Sequence, residues 1–186
     1  MKTPILNARM ATMARTKASA ECGAKWTIRP FRPKDAEYLS RIYQDAVRTL
    51  AARYYAPDQI AAWLSIAPAQ ERLKHLYGDG RSALVCAAGG RPIAFSDHDA
   101  AGHIRFLYCD PAFADRHAAS RLMNAVEMSA RRQGLGHLTS EASEAALAVF
   151  RRHGFRITAR RNFELGGVTI HNYAVEKRLT ANSEIS

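Results

Sequence analysis

Two periodicities alternate along the chain. WTIRPF suggests a first strand, and Pro33 then opens a helical stretch, DAEYLSRIYQDAVRTLA, whose Leu39, Ile42, Tyr43 and Ala46 recur at the i, i+3, i+4, i+7 spacing of one buried face. APDQIAAWL and PAQERLKHLYG read as two shorter helices, each with a proline at its start. SALVCAA and PIAFSDHD are strand-like runs joined by Gly89–Gly90, a two-residue hairpin signal, and HIRFLYC follows after Gly102 to complete a three-strand antiparallel meander. A helix spans RLMNAVEMSARRQG, with Ala119, Leu122, Met123, Val126 and Ala130 on one face and Gly134 as its stop. A strand, HLTSEA, leads to a helix, SEAALAVFRRHG, with Ser143 at the N-cap position. FRITARRNFEL and VTIHNYAVEKRL close the chain as a hairpin around Gly166–Gly167.

A mixed α/β (α+β) architecture follows from this order, with a central, mainly antiparallel sheet flanked by helices. The 186 residues fit one domain, read as 26–180, preceded by a flexible basic extension over 1–25 and followed by a disordered tail over 181–186. With 47% hydrophobic and 24% charged residues the chain reads as an ordinary soluble protein, and no apolar run approaches the roughly 20 residues of a membrane helix.

The formal charge of +10 changes the picture by favouring an anionic partner. Part of it sits in the extension, where Lys2, Arg9, Arg15, Lys17 and Lys25 face only Glu21. No helix-turn-helix, zinc-finger or aromatic RNA-binding signature accompanies the charge, so a nucleic-acid role is not expected. Cys22, Cys86 and Cys109 are odd in number and widely spaced, which argues against a disulfide framework, a CxxC redox pair or a metal site. Reduced thiols and the lack of a secretory signal point to a cytoplasmic protein.

The candidate chemistry centres on DPAFADRHAAS, residues 110–120, between the apolar run HIRFLYC and a helix. A strand turning into a helix offers unpaired N–H groups and a dipole that favour an anion, although phosphate loops usually carry glycines and this one has none. This order, with its central strand, loop and long helix and a GF element at Gly154–Phe155, resembles the GCN5-related N-acetyltransferase (GNAT) family. Within it, the stretches YYAPDQIAAW, LYCDP, LTSEAS, FRRHGF and NYAVEKRL are similar to those of the YafP-like bacterial subgroup. The resemblance covers Trp26 to about Leu179 and implies a twisted sheet of about seven strands and transfer of an acetyl group from acetyl coenzyme A to an amine by direct attack. It implies no metal. The acceptor would be a small-molecule or peptide amine, and a homodimer is compatible with the family.

The resemblance also assigns roles. The family's Q/R-x-x-G-x-G/A cofactor motif falls on Ala114, Asp115, Arg116, His117, Ala118 and Ala119, of which only the final small residue fits. Backbone donors from Ala114 to Ser120 would still serve, with Arg116 offsetting the charge of Asp115, while the imidazole of His117 would either block the phosphates or donate to one. Backbone groups of Leu107, Tyr108 and Cys109 match the position that binds the thioester oxygen. His103 occupies the place of the catalytic glutamate of histone-type members and, with Glu141 at the end of the next strand, is a candidate for proton removal. Strict alternation would put His103, Arg105, Leu107 and Cys109 on one face of their strand. Phe150 stands where many members carry a tyrosine acid and reads as a core residue, so Tyr108, Tyr173 or water would protonate the thiolate, or the thiolate would leave unassisted. Asp97, His98 and Asp99 read as a solvated turn, with a water-relay base or part of the acceptor pocket as alternatives, and Tyr54, Tyr55 and Trp63 as a packed helical segment or an aromatic wall for the acceptor. The missing glycines and Phe150 leave a second reading open, a GNAT-type fold kept for binding or regulation after loss of turnover.

Overall fold

The structure is a computed structural model and describes residues 25–78 and 80–179; the expected extension, apart from Lys25, and the expected tail lie outside these residues. The elements are β1 (Trp26–Pro30), α1 (Ala36–Thr49), α2 (Pro57–Ser65), α3 (Gln70–Gly78), β2 (Ser82–Ala88), β3 (Arg91–His98), β4 (His103–Ile104), β5 (Leu107–Cys109), α4 (Ala118–Arg132), β6 (His137–Ala142), α5 (Glu144–Arg152), β7 (Arg156–Leu165) and β8 (Val168–Arg178). None of these helices is long and apolar enough to cross a membrane.

The expected single sheet of about seven strands is instead a pair of four-stranded sheets. The first runs β1-β2-β3-β5, antiparallel throughout, and the second β4-β6-β8-β7, in which only β4 and β6 are parallel. The division falls inside HIRFLYC. Its first part, β4, pairs with β6, and its second part, β5, pairs with β3.

The cause is Asp97, which is fully buried, as is His98, and neither lies in the solvated turn expected from their polarity. Oδ1 of Asp97 accepts from the backbone amides of both Arg105 and Phe106, at 3.0 and 2.9 Å, so a side chain takes the place of the strand ladder at that point. Ser96 Oγ donates to the Phe106 carbonyl at 2.7 Å. The other carboxylate oxygen of Asp97 accepts from Arg81 Nε at 2.8 Å, and Arg81 also reaches Asp99 and the His103 carbonyl. His98 is held between the Asp99 carbonyl and Ser129 Oγ, each 3.0 Å away.

The irregular pair at 105–106 acts as a bulge and reverses the side-chain alternation. Ile104 joins the core of Met123, Val126 and Leu138 beneath α4, yet Phe106 and Tyr108 pack with α1 against Phe95 and Val85. His103, opposite in phase to Ile104, therefore lies on the α1 side, while Leu107 and Cys109 lie under α4. The expectation that these three share a face fails for this reason.

Helix α4 spans both sheets. Ala118 and Leu122 meet Cys86, Ile93 and Ala94 of the first, and Met123, Val126 and Ala130 meet Ile104, Leu138 and Val175 of the second. On the opposite face of the first sheet, α1 buries the expected stripe of Leu39, Ile42, Tyr43 and Ala46 together with Val47. Tight turns complete the frame: Gly89 and Gly90 both have positive φ, 55° and 87°, as the two-residue hairpin requires. At Gly102, φ is +81° and a Cβ would come within 2.3 Å of the His137 carbonyl oxygen, so only glycine lets β4 approach β6 this closely.

Candidate active site

Beyond the two paired residues of β4, the strands on either side of the break part company. A cleft of about 280 Å³ opens between β5 and the end of β6, walled by α1 and the segment after it on one side and by α5 on the other. Leu107, Tyr108, Cys109, Ala114, Asp115 and Ala119 all line it, as does Glu141. Six of the ten residues expected to meet a cofactor are thus gathered there from three consecutive elements, β5, the 3-10 turn Pro111–Arg116 and the start of α4.

The edge of β5 that faces the cleft carries unpaired peptide groups. Asp110 donates its amide to the Ile93 carbonyl of β3 at 2.8 Å, and the register pairs Tyr108 with Phe95. Alternation in an antiparallel pair commits the Tyr108 peptide to β3 as well and turns those of Leu107 and Cys109 toward the cleft. Burial, with Asp110 nearby, pushes the Cys109 thiol well above its ordinary pKa and so favours its protonated form. Burial and contact with Tyr43 likewise keep the Tyr108 hydroxyl protonated.

From the cleft the chain enters a 3-10 turn, Pro111–Arg116, capped by Asp110, whose carboxylate accepts from the Ala112 amide at 3.0 Å. His117 then adopts φ 63°, the one left-handed non-glycine residue among those described, and α4 begins. The backbone has the conformation that a glycine would adopt freely, although the side chain is an exposed imidazole. The first helical amide to bond backward is that of Arg121, to the His117 carbonyl at 3.0 Å, which leaves the amides of Ala118, Ala119 and Ser120 at the open helix end. Arg116, His117, Ala118 and Ser120 do not line the cleft itself; they form this turn at its margin, with Arg116 lying over the Phe113 ring at 5.7 Å.

The two residues considered separately for proton removal are in contact. His103 Nε2 lies 3.1 Å from Glu141 Oε2, and His103 Nδ1 lies 3.1 Å from Thr139 Oγ1. The other Glu141 oxygen accepts from Arg161 Nη1 at 2.7 Å. The parallel register makes this contact: His103 pairs with Thr139, so its side chain shares the face of Thr139 and Glu141, away from the Leu138 and Ala142 core face. Thr139 and Arg161 were not singled out in the sequence. Arg161 reaches Glu141 only through the registers that set β7 on β8 and β8 on β6, for which no local pattern exists.

Phe150 is a core residue, 2% exposed, edge-to-face with Phe155 at 5.0 Å and with one side on the cleft. Of the two tyrosines considered in its place, Tyr108 lines the cleft and Tyr173 does not. The Tyr173 hydroxyl donates to Glu144 Oε1 at 2.6 Å, and this bond, assisted by His171, holds the Glu144 carboxyl below its usual range. In the aromatic segment, Tyr54 and Trp63 line the cleft, whereas Tyr55 is buried, accepting from the Glu144 amide and donating to the His171 carbonyl, each at 3.1 Å.

Chemically, the site offers backbone donors at an open strand edge, free amides at a helix start, and an imidazole–carboxylate pair across the gap. No group of three or more histidine, cysteine, aspartate or glutamate side chains suited to a metal ion occurs among the described residues.

Residues 51–177 match the family model for the acetyltransferase (GNAT) domain. The chain is 29% identical over 146 residues to the uncharacterized N-acetyltransferase YafP of Escherichia coli K12, covering 78% of this chain and 91% of that one. Among solved structures it is similar to a GCN5-related N-acetyltransferase from Rhodopseudomonas palustris, with a TM-score of 0.76 and 27% identity over 82% of this chain and 95% of the other. The PaiA N-acetyltransferase of Thermoplasma acidophilum, solved in complex with coenzyme A, shares the fold at a TM-score of 0.68 and 16% identity, over 83% of this chain and 99% of its own.

Proposed function

The chain belongs to the GNAT family of acetyltransferases and is an acyltransferase, and on that premise we propose that it transfers the acetyl group of acetyl coenzyme A directly to a primary amine held in the cleft between β5 and β6. The observation that carries this reading is the coincidence, in one cleft, of the unpaired β5 edge with Glu141 and its partner His103.

The residues fit the donor. The peptide groups of Leu107 and Cys109 face the gap as an added extended chain would need, and the amides of Ala118 to Ser120 suit a pyrophosphate, for which they need no particular side chain. Acetyl coenzyme A supplies an activated acyl carbon and a thiolate leaving group. Either inward-facing amide, of Leu107 or Cys109, stabilises charge on the thioester oxygen as the amine nitrogen bonds to the acyl carbon and the carbon–sulfur bond breaks.

The amine must lose a proton to attack and to leave a neutral amide. Glu141 lines the cleft and His103 backs it, so a proton taken by either is shared across their 3.1 Å contact, while Arg161 restrains the carboxylate and Thr139 the ring. Phe150 has no proton to give. The departing sulfur is protonated by water, since burial and contact with Tyr43 leave the Tyr108 hydroxyl on the cleft wall too weakly acidic to give up its proton.

Calorimetric titration of acetyl coenzyme A, followed by thiol-release assays on an amine panel, tests the reading. Saturable binding and amine-dependent thiol release are expected. The absence of binding at millimolar cofactor would overturn it.

A further inference from the structure

The part of the cleft wall built by α1, the segment after it, α2 and the β4–β5 break has two charged side chains, Arg53 and Arg105. Arg53 ends the 3-10 turn Ala51–Arg53, and Arg105 occupies the bulge, where Asp97 fixes its backbone and leaves its side chain exposed. Among the described residues neither guanidinium has an ion-pair or hydrogen-bond partner, whereas Arg29, Arg81 and Arg161 all do. Arg53 closes the segment that follows α1, and Arg105 directly precedes Phe106, which packs with α1. The carboxylate bordering this wall, Glu141, is already bound by Arg161 and His103. Asp115 lies on the turn before α4, at the proposed pyrophosphate end.

Resting on the acetyl-transfer reading, we propose that the acceptor is an amine carrying an acidic group of its own, such as a free α-amino acid, with that group bound by Arg53 and Arg105. A simple cationic amine or polyamine would meet two uncompensated positive charges beside the reacting centre. A zwitterion would meet complementary charge, and the planar guanidinium matches a carboxylate or phosphonate in two-point contact.

The test compares matched acceptors in the thiol-release assay: the protein amino acids and aminoalkyl phosphonates against the corresponding amino acid amides and a polyamine set. Acetyl coenzyme A binding is measured in parallel on the wild type and on Arg53→Gln and Arg105→Gln. The proposal expects turnover among the acids, at least 10-fold lower kcat/KM for their amides, and a KM for the acid raised about 10-fold in either variant with kcat and cofactor affinity held. Turnover on amides or polyamines equal to that on acids would overturn it. So would cofactor binding with no acid turned over, or variants that weaken cofactor binding and leave the acceptor KM unchanged. Failure of the wild type to bind acetyl coenzyme A would instead remove the parent reading. Since both side chains are exposed and unpartnered, melting temperatures of the variants should match the wild type, which separates these outcomes from misfolding.

Discussion

Asp97 and Arg105 are joined by a hydrogen bond from the Arg105 amide to a buried carboxylate oxygen, 3.0 Å long, and this bond marks the place where one strand becomes two. The cleft exists because that strand divides. Replacing Asp97 with alanine would orphan two backbone amides and leave the largely buried Arg81 without its closest carboxylate. Loss of one member of such a buried pair costs about 3–5 kcal/mol. Urea unfolding of Asp97→Ala should show a loss in that range.

Gly102 supports the same junction from the other side. In Gly102→Ala the positive φ costs about 1–2 kcal/mol, and the contact with the His137 carbonyl must also be relieved by moving backbone. Destabilisation of at least about 2 kcal/mol is expected on these combined grounds. Gly166→Ala is the control, because its φ is also positive but a Cβ there meets nothing within 4 Å.

His117 separates backbone from side chain at the proposed phosphate loop. Its left-handed conformation should be eased by His117→Gly, raising stability by about 0.5–1 kcal/mol once the added freedom of the unfolded chain is deducted. Because the exposed imidazole does not line the cleft, acetyl coenzyme A affinity should stay within about 2-fold. Tighter binding would reveal steric obstruction by the ring, and weaker binding a contact from the ring to a phosphate.

Acid stability should depend on Asp35. Burial alone would raise its pKa, but the two-point contact with Arg29, at 2.6 and 2.8 Å, and the Arg32 amide together hold it below the ordinary carboxylate value. A group depressed in the folded state stabilises at pH above its unfolded value, near 4, and that contribution fades as pH falls through the lower folded value. Asp35→Asn should therefore lose about 1.5–3 kcal/mol at neutral pH, with the gap to wild type closing below about pH 4.

The helices and most strands were legible because their spacing is local: the Leu39, Ile42, Tyr43 and Ala46 stripe lies where the period puts it, buried beneath α1. HIRFLYC reads as one strand because its apolar alternation continues straight through the break, and nothing in the letters marks residues 105 and 106 as bound to a carboxylate eight and nine positions earlier. In the Asp97–His98–Asp99 run only Asp99 opens a turn; Asp97 and His98 are buried because each polar group finds a partner, which polarity alone does not reveal. His103 and Glu141 could be named as candidates one at a time. Their contact, with Arg161 behind it, depends on strand registers that emerge only in three dimensions.

The most direct measurement is the acetyl-transfer rate of Glu141→Gln and His103→Ala at saturating acetyl coenzyme A, alongside their affinities for it. A general base contributes about 10²- to 10⁴-fold, so kcat should fall by at least about 100-fold in Glu141→Gln while cofactor binding is unchanged, and His103→Ala should fall with it. Wild-type kcat in both variants would contradict the assignment of proton removal to this pair.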